Sequence, residues 1–370
     1  MVPVNKLDSI PQRRRTLRSM QIIEWGQPLQ LREYETPRPS GDQILLAIEA
    51  CGVCHSDLHI HQGFFDLGGG KTFPVSSRGV VPPFTLGHEP VGKVISVGSK
   101  EQENLIGKSF LIYPWINCGV CQSCKVGMTQ VCDAPKIIGT RVDGGYSDHV
   151  VVPHKKFLID YTGIDPYLAC TLSCSGLTVY SALKKLNLGS LTEADRLVII
   201  GAGGLGLAAI NIAKFMTKAK LIVLDLDDTK LKIARDIGAD FTVLSSIDDP
   251  QSKILECVSD DNGVAACLDF VGMTQTMALS LSILRKGGTH VHVGLHGGAH
   301  ELSLPPLSFK MLKIMGSYVG TLEECKELVE LVKGGLDIKV PIRTLPLEKA
   351  NQAIEDLRNG VVAGRTVLTT

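Results

Sequence analysis

The sequence predicts an α/β protein of two unlike parts: an irregular, mostly β region, then a doubly wound parallel sheet. Three observations predict it. Residues 20–175 are made of short β-like runs cut by Pro and Gly. From about residue 176, short buried-strand runs alternate with helical stretches of about 10–15 residues, the pattern of βαβ units. At the first alternation stands a glycine-rich turn, Gly201-Ala202-Gly203-Gly204-Leu205-Gly206. A chain of 370 residues also exceeds what one core usually fills, so two domains are expected.

The elements follow in order. Met20 precedes a first strand-like segment, QIIEWG, and LQLREYE, QILLAIEA, EPVGKVISVG, GKSFLIYPW and YSDHVVVP continue the β region. Turn residues separate them and helical periodicity is scarce. The second region opens with RLVIIG, a buried strand, followed by the helical GLGLAAINIAKFM. LIVLD, FTVLSS, ACLDFVG and THVHVGL read as further strands. DTKLKIARDIG, QSKILECV and MTQTMALSLSIL read as the helices between them. From about 319 come two amphipathic helices, in TLEECKELVELVKGG and LEKANQAIEDLRNG, and a last strand, RTVLTT.

Composition excludes several functions. Lys+Arg and Asp+Glu both number 38, so no net field favours nucleic acid or a membrane surface. No apolar run is long enough to span a bilayer. The first twenty residues lack the apolar core of a secretion signal; the Arg-rich start reads as an organelle presequence or, since Asp8 and two prolines count against that, as a loose extension, and a cytoplasmic location is expected. Eleven cysteines in a chain without an export signal point to metal ligation before disulfides.

The glycine turn follows a β-branched strand and opens a helix, the setting of a dinucleotide site. Gly201 permits the tight turn, Gly203 lets the backbone approach a pyrophosphate, and Gly206 lets helix pack on strand. Asp225 ends the next strand, where a carboxylate accepts the ribose hydroxyls and repels a 2′-phosphate. NAD is therefore expected over NADP.

Cys118-x2-Cys121-x2-Cys124-x7-Cys132 is the strongest local signal. Four thiolates so spaced fit one closed, structural Zn²⁺ site, and the gap of seven departs from the iron–sulfur run. Earlier, CGVCHSDLH holds Cys51 and Cys54. It reads as a redox pair, half of a zinc knuckle, or a site where one cysteine matters. Cys54, His88 in LGHEP with Glu89 beside it, and Cys174 in LSCSGLTVY are candidate ligands of a second zinc with an open position. Spacing alone does not assemble them.

CGVCHSDLH, GHE, the four-cysteine lobe, CSGLTVY, GAGGLG with its distal Asp, and the terminal GRTV occur in one order. In that order the chain closely resembles the medium-chain, zinc-dependent alcohol dehydrogenases over residues 20–370. The resemblance implies a split GroES-like catalytic domain, 20–177 and 319–370. It also implies a Rossmann coenzyme domain, 178–318, and leaves 1–19 as an amino-terminal extension. It implies two zincs per chain, NAD, a small-molecule alcohol or carbonyl substrate, and a homo-oligomer, dimer or tetramer. Cys54 becomes the ligand and Cys51 a core residue, and Cys174 is preferred to Cys170. Ser56 and His59 resemble the proton relay, and Asp57 the partner that fixes the His88 tautomer. His55 and Arg365 resemble pyrophosphate contacts and Thr178 a nicotinamide contact. Leu205, Gly204 and Lys230 join the coenzyme set, and His61, Phe65, Trp115 and Leu295 the substrate pocket. The remaining histidines, His290, His292 and His296 among them, read as structural or solvated.

The stretch between His59 and His88 is long, and its excess, about 66–81, is expected near the substrate mouth. It reads as a surface loop, or as a lid whose Lys71 or Arg78 meets an acidic substrate end. DLGGGK and PWI are similar to a subgroup that includes 6-hydroxyhexanoate dehydrogenase, which implies an ω-hydroxy acid. The competing readings are an NADP-dependent aldehyde reductase of the cinnamyl-alcohol type, a polyol dehydrogenase, and a non-catalytic nucleotide-binding relative. Asp225, Cys174 and the full ligand set argue against them in turn.

Overall fold

A computed structural model describes residues 16–246, 248–258 and 262–370. Residues 1–15 of the expected extension lie outside the described residues. The first strand, β1 (Thr16–Ile22), starts inside that extension rather than after Met20. It pairs antiparallel with β2 (Gln30–Glu35), Thr16 opposite Glu35, and buries Leu17 and Ser19.

The β region continues through β3 (Ile44–Val53), α1 (His55–Gln62), a hairpin of β4 (Phe64–Gly68) and β5 (Lys71–Pro74), then β6 (Phe84–Thr85) and β7 (Pro90–Val97). Next come β8 (Ser109–Ile112), β9 (Trp115–Ile116), α2 (Gln122–Lys125), β10 (Lys136–Ile137), β11 (His149–Val152) and β12 (Leu158–Ile159). α3 (Pro166–Thr171), a π-helical turn (Leu172–Gly176) and α4 (Leu177–Lys184) form one helical run. The domain boundary expected at 177/178 therefore falls inside helix. Small and β-branched residues in LACTLSCSGLTVY hid the run, because their propensity is weak and tertiary packing decides.

The second region has β13 (Arg196–Ile200), α5 (Gly204–Met216), β14 (Lys220–Asp225), α6 (Asp228–Asp236), β15 (Phe241–Leu244), α7 (Pro250–Leu255), β16 (Val264–Asp269), α8 (Thr274–Ile283), β17 (Leu284–His292), α9 (Leu304–Phe309) and β18 (Lys313–Gly316). The six strands form a wholly parallel sheet in the order β15-β14-β13-β16-β17-β18, the doubly wound arrangement expected. Leu197, Val198, Ile199 and Ile200 are all buried, as a strand covered on both faces requires.

α10 (Leu322–Lys333), β19 (Ile342–Pro346), α11 (Ala350–Arg358) and β20 (Arg365–Thr369) complete the chain. β20 returns to the β region and pairs with β3, Thr366 opposite Val53. The main sheet there runs β12-β8-β7-β3-β20-β19, with β11 also on β3. Among the described residues no helix is long and apolar enough to cross a membrane.

Candidate functional site

α1 begins at Cys54, whose backbone is extended, and Asp57 in its first turn accepts the Cys54 N–H at 3.0 Å. A local cap thus points Cys54 off the helix start toward the interior. The same carboxylate accepts from His88 Nδ1 at 3.0 Å and from the Tyr146 hydroxyl at 2.9 Å. Asp57 and His88 are both fully buried. With Nδ1–H donated to Asp57, the His88 lone pair lies on Nε2, which has no partner among the described residues.

One ligand atom each from Cys54, His88, Glu89 and Cys174 lies within 4.8 Å of the others, and all four residues are buried. They come from the cap of α1, the loop before β7 and the π-helical turn. The hydrogen bond from Cys174, working against burial, holds the Cys54 thiol well below its usual value; the same contact and burial raise Cys174. Glu89 pairs with the Arg365 guanidinium, yet burial pushes its carboxyl up to about 7. Two soft thiols, a bare imidazole nitrogen and a carboxylate in reserve suit Zn²⁺. Cys51 and Cys170 are outside this group and fully buried; their S–H groups reach the Gly52 and Tyr167 carbonyls.

Cys118, Cys121, Cys124 and Cys132 form a second such group. Backbone N–H groups are aimed at sulfur: Val120 and Cys121 donate to Cys118 at 3.5 and 3.3 Å, and Cys118 donates to Cys132 at 3.3 Å. Those bonds from Val120 and Cys121 lower the Cys118 thiol to about 6. Backbone groups that favour the Cys118 thiolate in advance of any ion, beside three more sulfurs, fit a closed four-sulfur site.

A cavity of about 800 Å³ runs between the β region and the parallel sheet. Cys54, Ser56, Cys174 and Thr178 line one part, and Gly201, Gly203–Gly206, Asp225 and Lys230 another. Gly201 sits at φ +97°, where only glycine is unstrained. A Cβ on Gly206 would lie 1.8 Å from the Gly201 carbonyl oxygen, whereas one on Gly203 meets nothing within 4 Å. Asp225 accepts the Ala202 N–H at 2.6 Å, which ties the strand end to the turn.

α1 shows His55, Ser56, His59 and Ile60 to this cavity. His55 is driven to about 4 by burial and then by His296, whose ring is 4.5 Å away. His59 is lowered by the same two causes in the same order, and its Nε2 is buried without a partner among the described residues. His61 does not line the cavity, contrary to expectation. Two residues from His59 is about 200° of helix, so it faces away. Its Nε2 meets the Gln27 carbonyl at 2.8 Å and its Nδ1 meets Arg358 at 3.2 Å. Arg365 also differs. Its stem crosses Gly204 at the start of α5, but its guanidinium is turned to Glu89, because a buried carboxylate needs a cation.

Phe65, Trp115 and Leu295 line the cavity, and Trp115 donates to the Ser173 carbonyl at 3.2 Å. Residues 64–74 are a hairpin rather than a loop, and it docks across the cleft. A Cβ on Gly68 would strike Gly298 and Ala299, and one on Gly297 would strike Asp66. Arg78 lines the cavity with its guanidinium 5.7 Å from the Phe65 ring, whereas Lys71 is exposed outside it. The sequence reading missed His296 and Tyr146. No local pattern marks either; both reach the site through tertiary packing.

Comparisons with known proteins agree with this geometry. Residues 40–161 match the alcohol dehydrogenase GroES-like domain, and residues 204–334 match the zinc-binding dehydrogenase family. The chain is 36% identical to an NAD-dependent alcohol dehydrogenase of Sulfurisphaera tokodaii over 353 residues, covering 95% of this chain and 99% of that one. It is 35% identical to one from Saccharolobus solfataricus over the same shares. The crystal structure of an alcohol dehydrogenase from Aeropyrum pernix superposes with a TM-score of 0.85 at 30% identity, covering 95% of this chain and all of that one.

Proposed function

The chain belongs to the medium-chain, zinc-dependent alcohol dehydrogenase family, and we propose that it transfers hydride reversibly between a primary or secondary alcohol and NAD. The product is an aldehyde or ketone. One observation carries the reading: a single cavity joins Cys54, Cys174 and Ser56 to the glycine turn and Asp225.

Cys54, His88 and Cys174 would hold a catalytic zinc with Glu89 in reserve, and the four-cysteine lobe a structural one. When bound, the catalytic zinc supplies positive charge that lowers the pKa of an alcohol hydroxyl, and NAD supplies the hydride acceptor. The rest falls to the chain. Ser56 takes the alcohol proton and His59 passes it to water. Burial keeps His59 neutral near pH 7, so it can accept. Asp57 holds the His88 tautomer that leaves Nε2 free. Asp225 would accept the adenosine ribose hydroxyls, His55 would meet the pyrophosphate, Thr178 would meet the nicotinamide, and Lys230 would join the coenzyme set from the same cavity. Arg365 acts on Glu89 first.

Phe65, Trp115 and Leu295 make an apolar substrate wall, and Arg78 is the one cation of the 66–81 stretch on it. That favours a substrate with a distal carboxylate, an ω-hydroxy acid. The test compares kcat/KM for a hydroxy acid and an alkanol of equal length in wild type and Arg78→Leu. Equal ratios in the two enzymes would remove the ω-hydroxy acid reading. Among the described residues β18 has no strand on its outer edge, beside exposed Phe309 and Met311. This supports self-association into a homo-oligomer, which light scattering reads directly.

The reaction itself is tested with NADH absorbance and zinc analysis. Cys54→Ala or Cys174→Ala should abolish turnover and lower zinc from two per chain to one, with the fold kept. Loss of both zincs on either change would sink the two-site assignment. Cys51→Ser should stay active; a dead, metal-deficient Cys51→Ser would mean the wrong cysteine carries the ligand.

A further inference from the structure

β16 and β17 run side by side with Cys267 opposite His290 and Asp269 opposite His292. Alternate residues of a strand share a face, so Asp269, His290 and His292 project together from one face of the parallel sheet. Hydrogen bonds from Thr276 and Ser280 place α8 over it. One ligand atom from each of the three lies within 4.8 Å of the others.

The donor chemistry is unusual for a sheet core. Asp269 is fully buried and holds its carboxylate with the Val271 and Gly272 N–H groups, each at 2.9 Å, and the Thr276 hydroxyl at 2.7 Å. Its nearest basic group is His292, whose Nδ1 is 4.0 Å away. His290 is fully buried too. Its Nδ1 meets the Ser280 hydroxyl at 2.6 Å, and its Nε2 has no partner among the described residues. A buried nitrogen left bare costs about 1–3 kcal/mol, and an apolar side chain there would avoid the cost. The third member, His292, is half-exposed and lines a second cavity beneath the β4–β5 hairpin, which gives an entry path.

We propose that Asp269, His290 and His292 form a third metal site, separate from the two cysteine sites, for a borderline divalent ion such as Zn²⁺, Co²⁺ or Ni²⁺. Two imidazoles and a carboxylate suit those ions and not Mg²⁺ or Ca²⁺, which prefer all-oxygen shells. The Ser280 contact orients the His290 ring as a partner behind a ligand does, and Thr276 does the same for Asp269. The site abuts the coenzyme cleft, because Asp269 also shapes the turn that presents Phe270 and Val271 to the main cavity.

The test is equilibrium dialysis of the holoenzyme, its resident zinc in place, against buffered micromolar Zn²⁺, with metal per chain measured. Wild type should hold one more zinc than either His290→Gln or His292→Asn. Loss of an outer partner alone costs about 10–100-fold in affinity, so loss of a direct ligand should shift the half-saturation by at least that. Equal metal in wild type and both variants, at whatever number, would overturn the site and mark the extra ions as surface adsorption. If His290→Gln fails to fold, His292→Asn decides alone, since its side chain is half-exposed and its loss leaves the core intact.

Discussion

Two glycines of one turn should fail in opposite ways. Gly206→Ala puts a methyl 1.8 Å from the Gly201 carbonyl oxygen, where real Cβ atoms essentially never come within 3.0 Å. The start of α5 and the end of β13 would have to part by more than an ångström. That carbonyl belongs to a turn tied to β14 through Gly201 N to Leu224 O at 2.8 Å, so neither side can yield freely. Overpacking costs typically 1–3 kcal/mol, and a backbone obstacle belongs at the top, about 3 kcal/mol. At roughly 2 °C per kcal/mol for a large domain, the melting point should fall by about 6 °C. Gly203→Ala is the control. Its φ is −76° and its Cβ meets nothing within 4 Å, so stability should move by less than about 0.5 kcal/mol. Its methyl instead stands in the cavity wall where the diphosphate must reach the backbone. One charge-assisted hydrogen bond lost is about 1.5–3 kcal/mol, so NAD should bind about 10–100-fold more weakly. Thermal shift on the coenzyme-free proteins and NAD titration calorimetry give both readouts. A Gly203→Ala enzyme that binds NAD normally, or a Gly206→Ala enzyme that melts with wild type, would refute the division of labour.

Two further changes probe the same cavity. Asp225→Ser should raise the NADP-to-NAD ratio of kcat/KM at least about tenfold, because ~1.4 kcal/mol of repulsion leaves with the charge; a wild type that already uses both equally would end the argument. His59→Gln should slow oxidation mainly at low pH, with a loss of about 100-fold or less, and recover as pH rises and hydroxide takes the proton. In wild type the burial-depressed His59 stays neutral further down the pH scale than a free imidazole, so its rate should fall only below that range. An unchanged profile in the variant would reduce His59 to a cleft-lining residue.

Most of the parallel sheet was legible because its strands and helices carry their own periods: RLVII and GLGLAAINIAKFM name β13 and α5 residue for residue, whereas the short α9 and β18 carry too few residues to show a period and were not read. The β region was less legible. α1 is hidden in CGVCHSDLH because two histidines, a serine and an aspartate give no apolar stripe; what forms it is the Asp57 cap and the Gly63 stop at φ +88°. That helix decides which histidines face the cavity, and so His61 was placed on the wrong side. Cys54, His88 and Cys174 stand on three separate elements, so no spacing could unite them; only likeness to a family did. The cluster of Asp269, His290 and His292 did leave a trace, since histidines two apart in THVHVGL must share a strand face.

β20 has a consequence for how the chain is made. β3 and β20 are neighbours in the sheet, yet the whole parallel sheet is translated between them. The strands from β13 to β18 are contiguous and can assemble while synthesis continues. The β region cannot close, and Glu89 has no guanidinium partner until Arg365 emerges. Burying that carboxylate early would be costly, so the nascent β region should stay open around Cys54 and His88 until β20 is available. Lesions in the 365–369 strand, far along the chain from the cysteines of both candidate zinc sites, should therefore act as failures of maturation and yield chains that hold a folded parallel sheet but an unclosed β region.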